Sequence, residues 1–67
     1  MNRKECELID LACEYEDQYR ALLACDPSLS EDAQKKFIEI QAWGERIHED
    51  ARRKGFTWEE VKNAADV

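Results

Sequence analysis

The fold is decided by the segment ARRKGFTWEEV, residues 51–61. Gly55 suits the left-handed position that commonly ends a helix. It is followed by the residue pairs of a capping box and a hydrophobic staple, which are Thr57 with Glu60 and Phe56 with Val61. These signals predict that one helix ends and another begins within this segment.

Two longer helices are predicted upstream. The first covers about 3–25, where neither Gly nor Pro occurs, and the second covers about 28–54. The helix after Gly55, over about 58–65, is too short to be stable alone and must pack on the other two helices or on a partner. We therefore expect an all-α fold, a single domain over residues 1–67 in which an antiparallel hairpin of two long helices is closed by a short C-terminal third helix.

Both long helices carry an apolar stripe at the spacing of one helical face. In the first helix the stripe consists of Leu8, Ala12, Tyr15, Tyr19 and Leu22, with Leu11 at its flank. In the second helix it consists of Leu29, Ala33, Phe37, Ile40, Gly44, Ile47 and Ala51. Gly44 lies inside this stripe, which predicts that another backbone or an aromatic ring approaches closely there.

The start of the second helix has two interpretations. Asp26 followed by Pro27 fits an N-cap and a first helical residue. Ser28 and Glu31 fit a capping box instead. These two starts differ by about two residues, and the sequence does not choose between them.

The charge balance narrows the classes of partner. The 67 residues include 10 Lys and Arg against 16 Asp and Glu, for a formal net charge of −6. This excess of acids argues against nonspecific binding of nucleic acid and against anionic membrane surfaces, and it favours a protein partner with a basic surface, or solubility alone. The chain has no apolar run long enough for a membrane span, and its charged N-terminus is unlike a secretory signal. We therefore expect a cytoplasmic protein.

Four acids form a line on the first helix. Their spacing places Glu7, Asp10, Glu14 and Asp17 on one side of that helix, and we call this set the acidic row. The row is predicted to lie opposite the apolar stripe, and no Lys or Arg interrupts it. Three interpretations are open: a solvated face, a docking strip for a basic groove, or a divalent-cation site. A straight line of acids fits the third least well, because the ligands of such sites usually converge from a loop.

The side chains capable of chemistry form no recognisable catalytic or metal-binding pattern. His48 is the only histidine, and Cys6, Cys13 and Cys25 lie on a different helix. Along one helix these cysteines are too far apart to pair with each other, whereas a bridge between two chains stays open. We predict no enzymatic activity, no cofactor and no bound metal.

Residues 51–61 also contain a small residue, a turn glycine and then apolar, polar and β-branched residues, which are Ala51, Gly55, Phe56, Thr57 and Val61. This arrangement resembles the helix-turn-helix motif of DNA-binding proteins. The resemblance implies a DNA-binding regulator whose third helix enters a groove. The chain departs from the motif at Asp50 and Lys54, where apolar residues are usual, and at Glu59 and Glu60, which phosphates would repel.

Apolar residues outside the stripes offer a second kind of contact. Ile38 is predicted on the outer side of the second helix, and Trp43 at the edge of its stripe. With Trp58 they would form an anchoring spot, since tryptophan is enriched at binding hot spots. Each long helix also buries only one face, which favours a homodimer. One alternative function is therefore a dimeric structural adaptor with apolar contacts through Ile9, Ile38, Trp43 or Trp58.

The leading functional prediction is a small acidic binding module. It would occupy a basic, nucleic-acid-binding surface of a target protein and thereby inhibit that protein. In size, charge and shape the chain is similar to phage-encoded inhibitors that imitate nucleic acid, of the anti-CRISPR type. The predicted partner-binding residues are Glu7, Asp10, Glu14, Asp17, Ile38, Trp43 and Trp58. Direct binding of nucleic acid or of a membrane is not expected.

Overall fold

A computed structural model describes residues 2–65, which form three α-helices. These are α1 (Arg3–Ala24), α2 (Glu31–Arg53) and α3 (Trp58–Ala64). The long helices are antiparallel, since residues further along α1 contact residues earlier in α2. Trp43 on α2 donates a hydrogen bond to Glu14 in the middle of α1. At the end of α1, the Cys25 thiol donates to the Ala33 carbonyl near the start of α2. The third helix contacts both long helices and packs mainly on α1. This arrangement confirms the predicted hairpin closed by a short C-terminal helix.

Both predicted starts of α2 are wrong. The helix begins at Glu31, and its N-cap is Ser30, whose hydroxyl accepts a hydrogen bond from the Ala33 N–H at 3.1 Å. Upstream, the Asp26 carboxylate accepts bonds from both the hydroxyl and the backbone N–H of Ser28. These two bonds, the hydroxyl bond first, hold the pKa of the Asp26 carboxyl below its usual value. The turn that these bonds stabilise does not continue into α2, because the backbone of Ser30 is extended, and the cap therefore falls to this serine.

Three residues of the predicted apolar stripes are placed differently. Leu29 precedes α2 and is 78% exposed, so its predicted burial is wrong. Tyr19 was predicted within the buried stripe of α1 but is 37% exposed. Leu11, predicted only to flank that stripe, is 1% exposed. For the two residues of α1, the physical reason is the position of α3, which packs beside the N-terminal half of α1 and concentrates burial there. Leu29 is exposed because α2 begins only at Glu31.

The corner between α2 and α3 forms as predicted. Gly55 has a φ of +86°. The Phe56 N–H donates to the Ala51 carbonyl at 2.9 Å, and the Gly55 N–H donates to the carbonyl three residues earlier at 3.1 Å. These two bonds define a Schellman motif at the end of α2. Thr57 then caps α3 and forms the predicted capping box with Glu60.

The core lies where the three helices meet. Its buried cluster consists of Leu11, Ile47, Ala51, Phe56 and Val61, with Leu8, Tyr15, Trp43 and Trp58 packed around it. The three largest fully buried side chains come one from each helix and are Leu11, Ile47 and Val61. Phe56 and Val61, the predicted staple pair, are 8% and 0% exposed. Packing of α3 therefore buries the same residues that organise its first turn.

One polar side chain belongs to this interior. Gln18, which the sequence pattern does not single out, is 5% exposed and donates from its amide to the Ile40 carbonyl at 3.1 Å. A Cβ built on Gly44 would stand only 2.9 Å from the Gln18 Nε2 atom. The close approach predicted at Gly44 thus exists, but the approaching group is a side-chain amide. The prediction of a backbone or an aromatic ring there is wrong, because the Gln18 side chain fills the interface between α1 and α2 at this level.

We expect Gly55→Ala to lower the free energy of unfolding by about 1–2 kcal/mol, because a Cβ disfavours the positive φ of this residue. No atom lies within 4 Å of the position that this Cβ would take, so the cost is one of backbone conformation. Gly55→Asn should cost less, since asparagine tolerates the left-handed region better. Urea unfolding followed by circular dichroism measures both variants, and equal losses would contradict this explanation.

We expect Gly44→Ala to destabilise the fold, although alanine is the better helix former by about 1 kcal/mol. The new methyl group displaces the Gln18 amide and breaks its bond to Ile40, and leaving such buried groups unpaired costs about 1–3 kcal/mol. In the background of Gln18→Ala the methyl group has room, so Gly44→Ala should become neutral or stabilising. A double-mutant cycle in urea tests the coupling, and additive effects of the two substitutions would refute it.

Candidate partner-binding surface

One member of the acidic row, Glu14, lies at the edge of α1 that borders α2. The Trp43 indole N–H donates to the Glu14 carboxylate at 3.0 Å, and both residues line one open groove between the two helices. For Glu14, the predicted position opposite the buried face is therefore wrong. Burial of Leu11 and Gln18, in place of Tyr19, turns the buried face of α1 towards the row.

The negative charge of the row is mostly uncompensated. Three of its members are exposed, and Glu7 is half-buried. Glu7 has a cation nearby, since its carboxylate lies 3.7 Å from the Arg3 Nε atom. Within residues 2–65, the other three members form no ion pair, and the remaining ion pairs are Glu16 with Arg20 and Asp50 with Arg53 and Lys54. Asp10 and Asp17 therefore direct their charge at solvent, while Glu14 accepts the hydrogen bond from the Trp43 N–H without forming an ion pair.

Trp43 is an aromatic residue in direct contact with the row. Its ring packs against the core and is half-buried, and its N–H is held by Glu14. The groove wall on α2 also includes Arg46 and Arg53, so the groove itself carries both signs of charge. A partner would meet Glu14 and Trp43 within this groove and the remaining acids of the row alongside it.

The other two predicted contact residues lie elsewhere. Trp58 stacks on His48, with ring centroids 3.3 Å apart and 21° between the planes, and its ring meets Tyr15 edge-on at 4.9 Å. Ile38 is 63% exposed, as its predicted position on the outer side of α2 requires. The seven predicted contact residues thus fall on three surfaces: the acidic row with Trp43, Ile38 on the outside of α2, and Trp58 beside His48.

The residues that resemble a helix-turn-helix motif build the corner and the core. Ala51, Phe56 and Val61 are buried, while Gly55 and Thr57 form the turn and the cap. The third helix has seven residues, and both of its glutamates are exposed. A phosphate backbone would meet these glutamates on the helix that the motif places in the groove.

The described residues offer few other chemical features. Over residues 2–65, no group of three or more His, Cys, Asp and Glu side chains is placed to hold a metal ion. The three cysteines are free thiols, with Cys6 and Cys13 exposed and Cys25 partly buried. In the same range, no helix has both the length and the apolar character needed to cross a bilayer. No family model, curated protein or solved structure matches this chain, so its function has to be inferred from its own surface.

We expect Glu14→Ala to release the Trp43 indole N–H, because the Glu14 carboxylate is its acceptor. In a ¹H–¹⁵N spectrum the Trp43 indole signal should shift, and its proton should exchange faster with water. Asp17→Ala removes another acid of the same row and should leave the indole signal in place. Stability should fall by only about 0.5–1 kcal/mol in Glu14→Ala, since the bond is solvent-exposed. If the indole signal does not change in Glu14→Ala, the bond between Glu14 and Trp43 does not form in solution.

Proposed function

We propose that this chain is a protein-binding module whose acidic row docks on a basic surface of another protein. By occupying that surface it would exclude nucleic acid from it, and so inhibit a nucleic-acid-binding partner. The observation that carries this proposal is the set of aligned, exposed carboxylates of Asp10, Glu14 and Asp17, which have no ion-pair partner within residues 2–65.

The helix gives these carboxylates a regular spacing. Neighbouring members of the row stand about 5–6 Å apart at the helix surface, and the whole row extends over about 15 Å. A series of negative charges held at regular intervals is also what a nucleic-acid strand offers to lysine and arginine side chains. Such a row would accelerate encounter with a basic surface and favour one orientation on it.

Trp43 adds an apolar contact to this surface. Its ring stands in the groove beside the row, and the bond from its N–H to Glu14 orients it. An interface needs a desolvated anchor in addition to charge, and tryptophan commonly supplies it. Ile38 and Trp58 lie on other surfaces, so a partner docked on the row would not contact all of the predicted residues together.

The experiment compares the wild type with a row-neutral variant that combines Asp10→Asn, Glu14→Gln and Asp17→Asn. Each protein serves as bait in extracts of the cells that produce it, and the retained proteins are identified by mass spectrometry. We expect the wild type to retain a protein with a basic surface, and added nucleic acid to displace that protein. For the purified partner at low salt, the row-neutral variant should associate at least about tenfold more slowly.

A control variant carries Glu31→Gln, Glu45→Gln and Glu59→Gln. It changes the net charge by the same amount, from −6 to −3 (−6 + 3), at exposed acids outside the row. We expect this variant to keep most of the wild-type association rate. Equal slowing in both variants would mean that the total charge and not the row controls binding, and undiminished binding by the row-neutral variant would reject the row as the docking site.

A further inference from the structure

Burial is uneven along the hairpin. The core cluster lies at the end where α3 packs, and between residues 19 and 39 no apolar side chain is buried. In this half α1 and α2 continue side by side from the bond between Gln18 and Ile40 to the contact between Cys25 and Ala33. Two helices without a third layer cover only a narrow strip of each other, so apolar side chains beside that strip stay accessible.

The accessible apolar residues of this half lie on the same side of the hairpin as α3, beyond the region that α3 covers. Tyr15 meets Trp58 of α3, and Tyr19 follows Tyr15 one turn later, with ring centroids 6.1 Å apart. A groove runs along this side from Trp58 to Leu22 and Gln41. The groove therefore begins at α3 and extends beyond it over the uncovered half.

Helical spacing adds two residues to this side. Leu23 is four residues after Tyr19, and Phe37 is four residues before Gln41, so both share the side of the groove. Leu23 is 69% exposed, and Leu22 and Phe37 are partly buried. We call the set formed by Tyr19, Leu22, Leu23 and Phe37 the distal face.

The distal face carries little charge within a chain of net charge −6. Glu16 and Arg20, on the α1 side of it, pair with each other. Gln34 and Gln41 on α2 are neutral, and Glu45 adds one acid at the end of the groove near α3. Glu14 of the acidic row lies on the opposite border of the interface between α1 and α2, next to Trp43.

We propose that a second copy of this chain covers the distal face. Two copies that each carry a charge of −6 repel one another, so they approach closely only where the local charge is low. The distal face meets this condition, and pairing through it leaves both acidic rows on the outside. A two-fold arrangement places each distal face against the other and gives the uncovered half of each hairpin the second helical layer that it lacks.

The size of the distal face limits the expected affinity between the two copies. Four partly exposed side chains form a patch smaller than the about 800 Å² per partner that stable complexes bury. We therefore expect a dimer that dissociates in the range of about 10–100 μM and so depends on concentration. Sedimentation velocity on the full chain from about 5 μM to 1 mM should show a shift from monomer to twice the monomer mass. If the wild type stays monomeric at 1 mM, the proposal is wrong, and a different protein is the remaining candidate to cover the distal face.

Two matched variants locate the interface. Leu23→Glu places a carboxylate within the distal face, and Leu29→Glu makes the same change at a loop leucine that is 78% exposed outside it. Both positions are exposed, so both variants should keep the wild-type circular dichroism spectrum. Leu23→Glu should weaken the dimer at least about tenfold, because a carboxylate would be desolvated there, while Leu29→Glu should change it less than about twofold. Equal effects of the two variants, or an unaffected dimer in Leu23→Glu, would overturn the assignment.

This proposal does not depend on the acidic row. The row-neutral variant reduces the repulsion between copies, so it should dimerise at least as well as the wild type. A row-neutral variant that loses both the partner and the dimer would show that one surface serves both contacts, and that result would overturn the distal face as a separate interface.

Discussion

The packing of α3 on the hairpin is the contact on which the remaining structure depends. Gly55 turns the chain, and the bonds that end α2 bring Phe56 and Val61 against α1, where Leu11 is buried. A helix of seven residues is not stable alone, so α3 forms only together with this burial. The described part of the chain offers the hairpin no other third layer, and the burial of Ile47 therefore depends on the same contact.

This dependence explains why the two halves of the hairpin differ. Close to α3, Leu11 and Ala12 of α1 are buried, while Tyr19 and Leu23 further along are exposed. Gln18 marks the border, where its amide uses the space left by Gly44 to reach the Ile40 carbonyl. An amide can fill a gap that no apolar layer covers when its buried N–H has a partner, and the Gln18 Nε2 atom has one in the Ile40 carbonyl. Beyond this border the hairpin has few buried contacts of its own, so it is the half that gains most from a covering partner.

The sequence predicted features whose causes are local. The corner at Gly55 was predictable because its turn, cap and staple all lie within residues 51–61. The start of α2 was not, since Asp26 and Ser28 could each cap a helix, and it is the extended backbone of Ser30 that separates their turn from α2. Gln18 follows Leu11 at a spacing of two helical turns, and this polar residue in an apolar line was the available signal. Its role still depends on a glycine in another helix. Spacing likewise put the acidic row on one side of α1, but the direction of that side depends on where the other helices pack.

The two proposed surfaces constrain each other through their positions. The acidic row and the distal face lie on opposite borders of the seam between α1 and α2. In a dimer joined through the distal faces, the two rows would point away from each other and could not both dock on one continuous basic surface. Linked binding sites gain affinity only when the geometry allows both to be engaged at once. Such a dimer would therefore bridge two partner molecules, or two separate sites, and a monomer would be sufficient to block one.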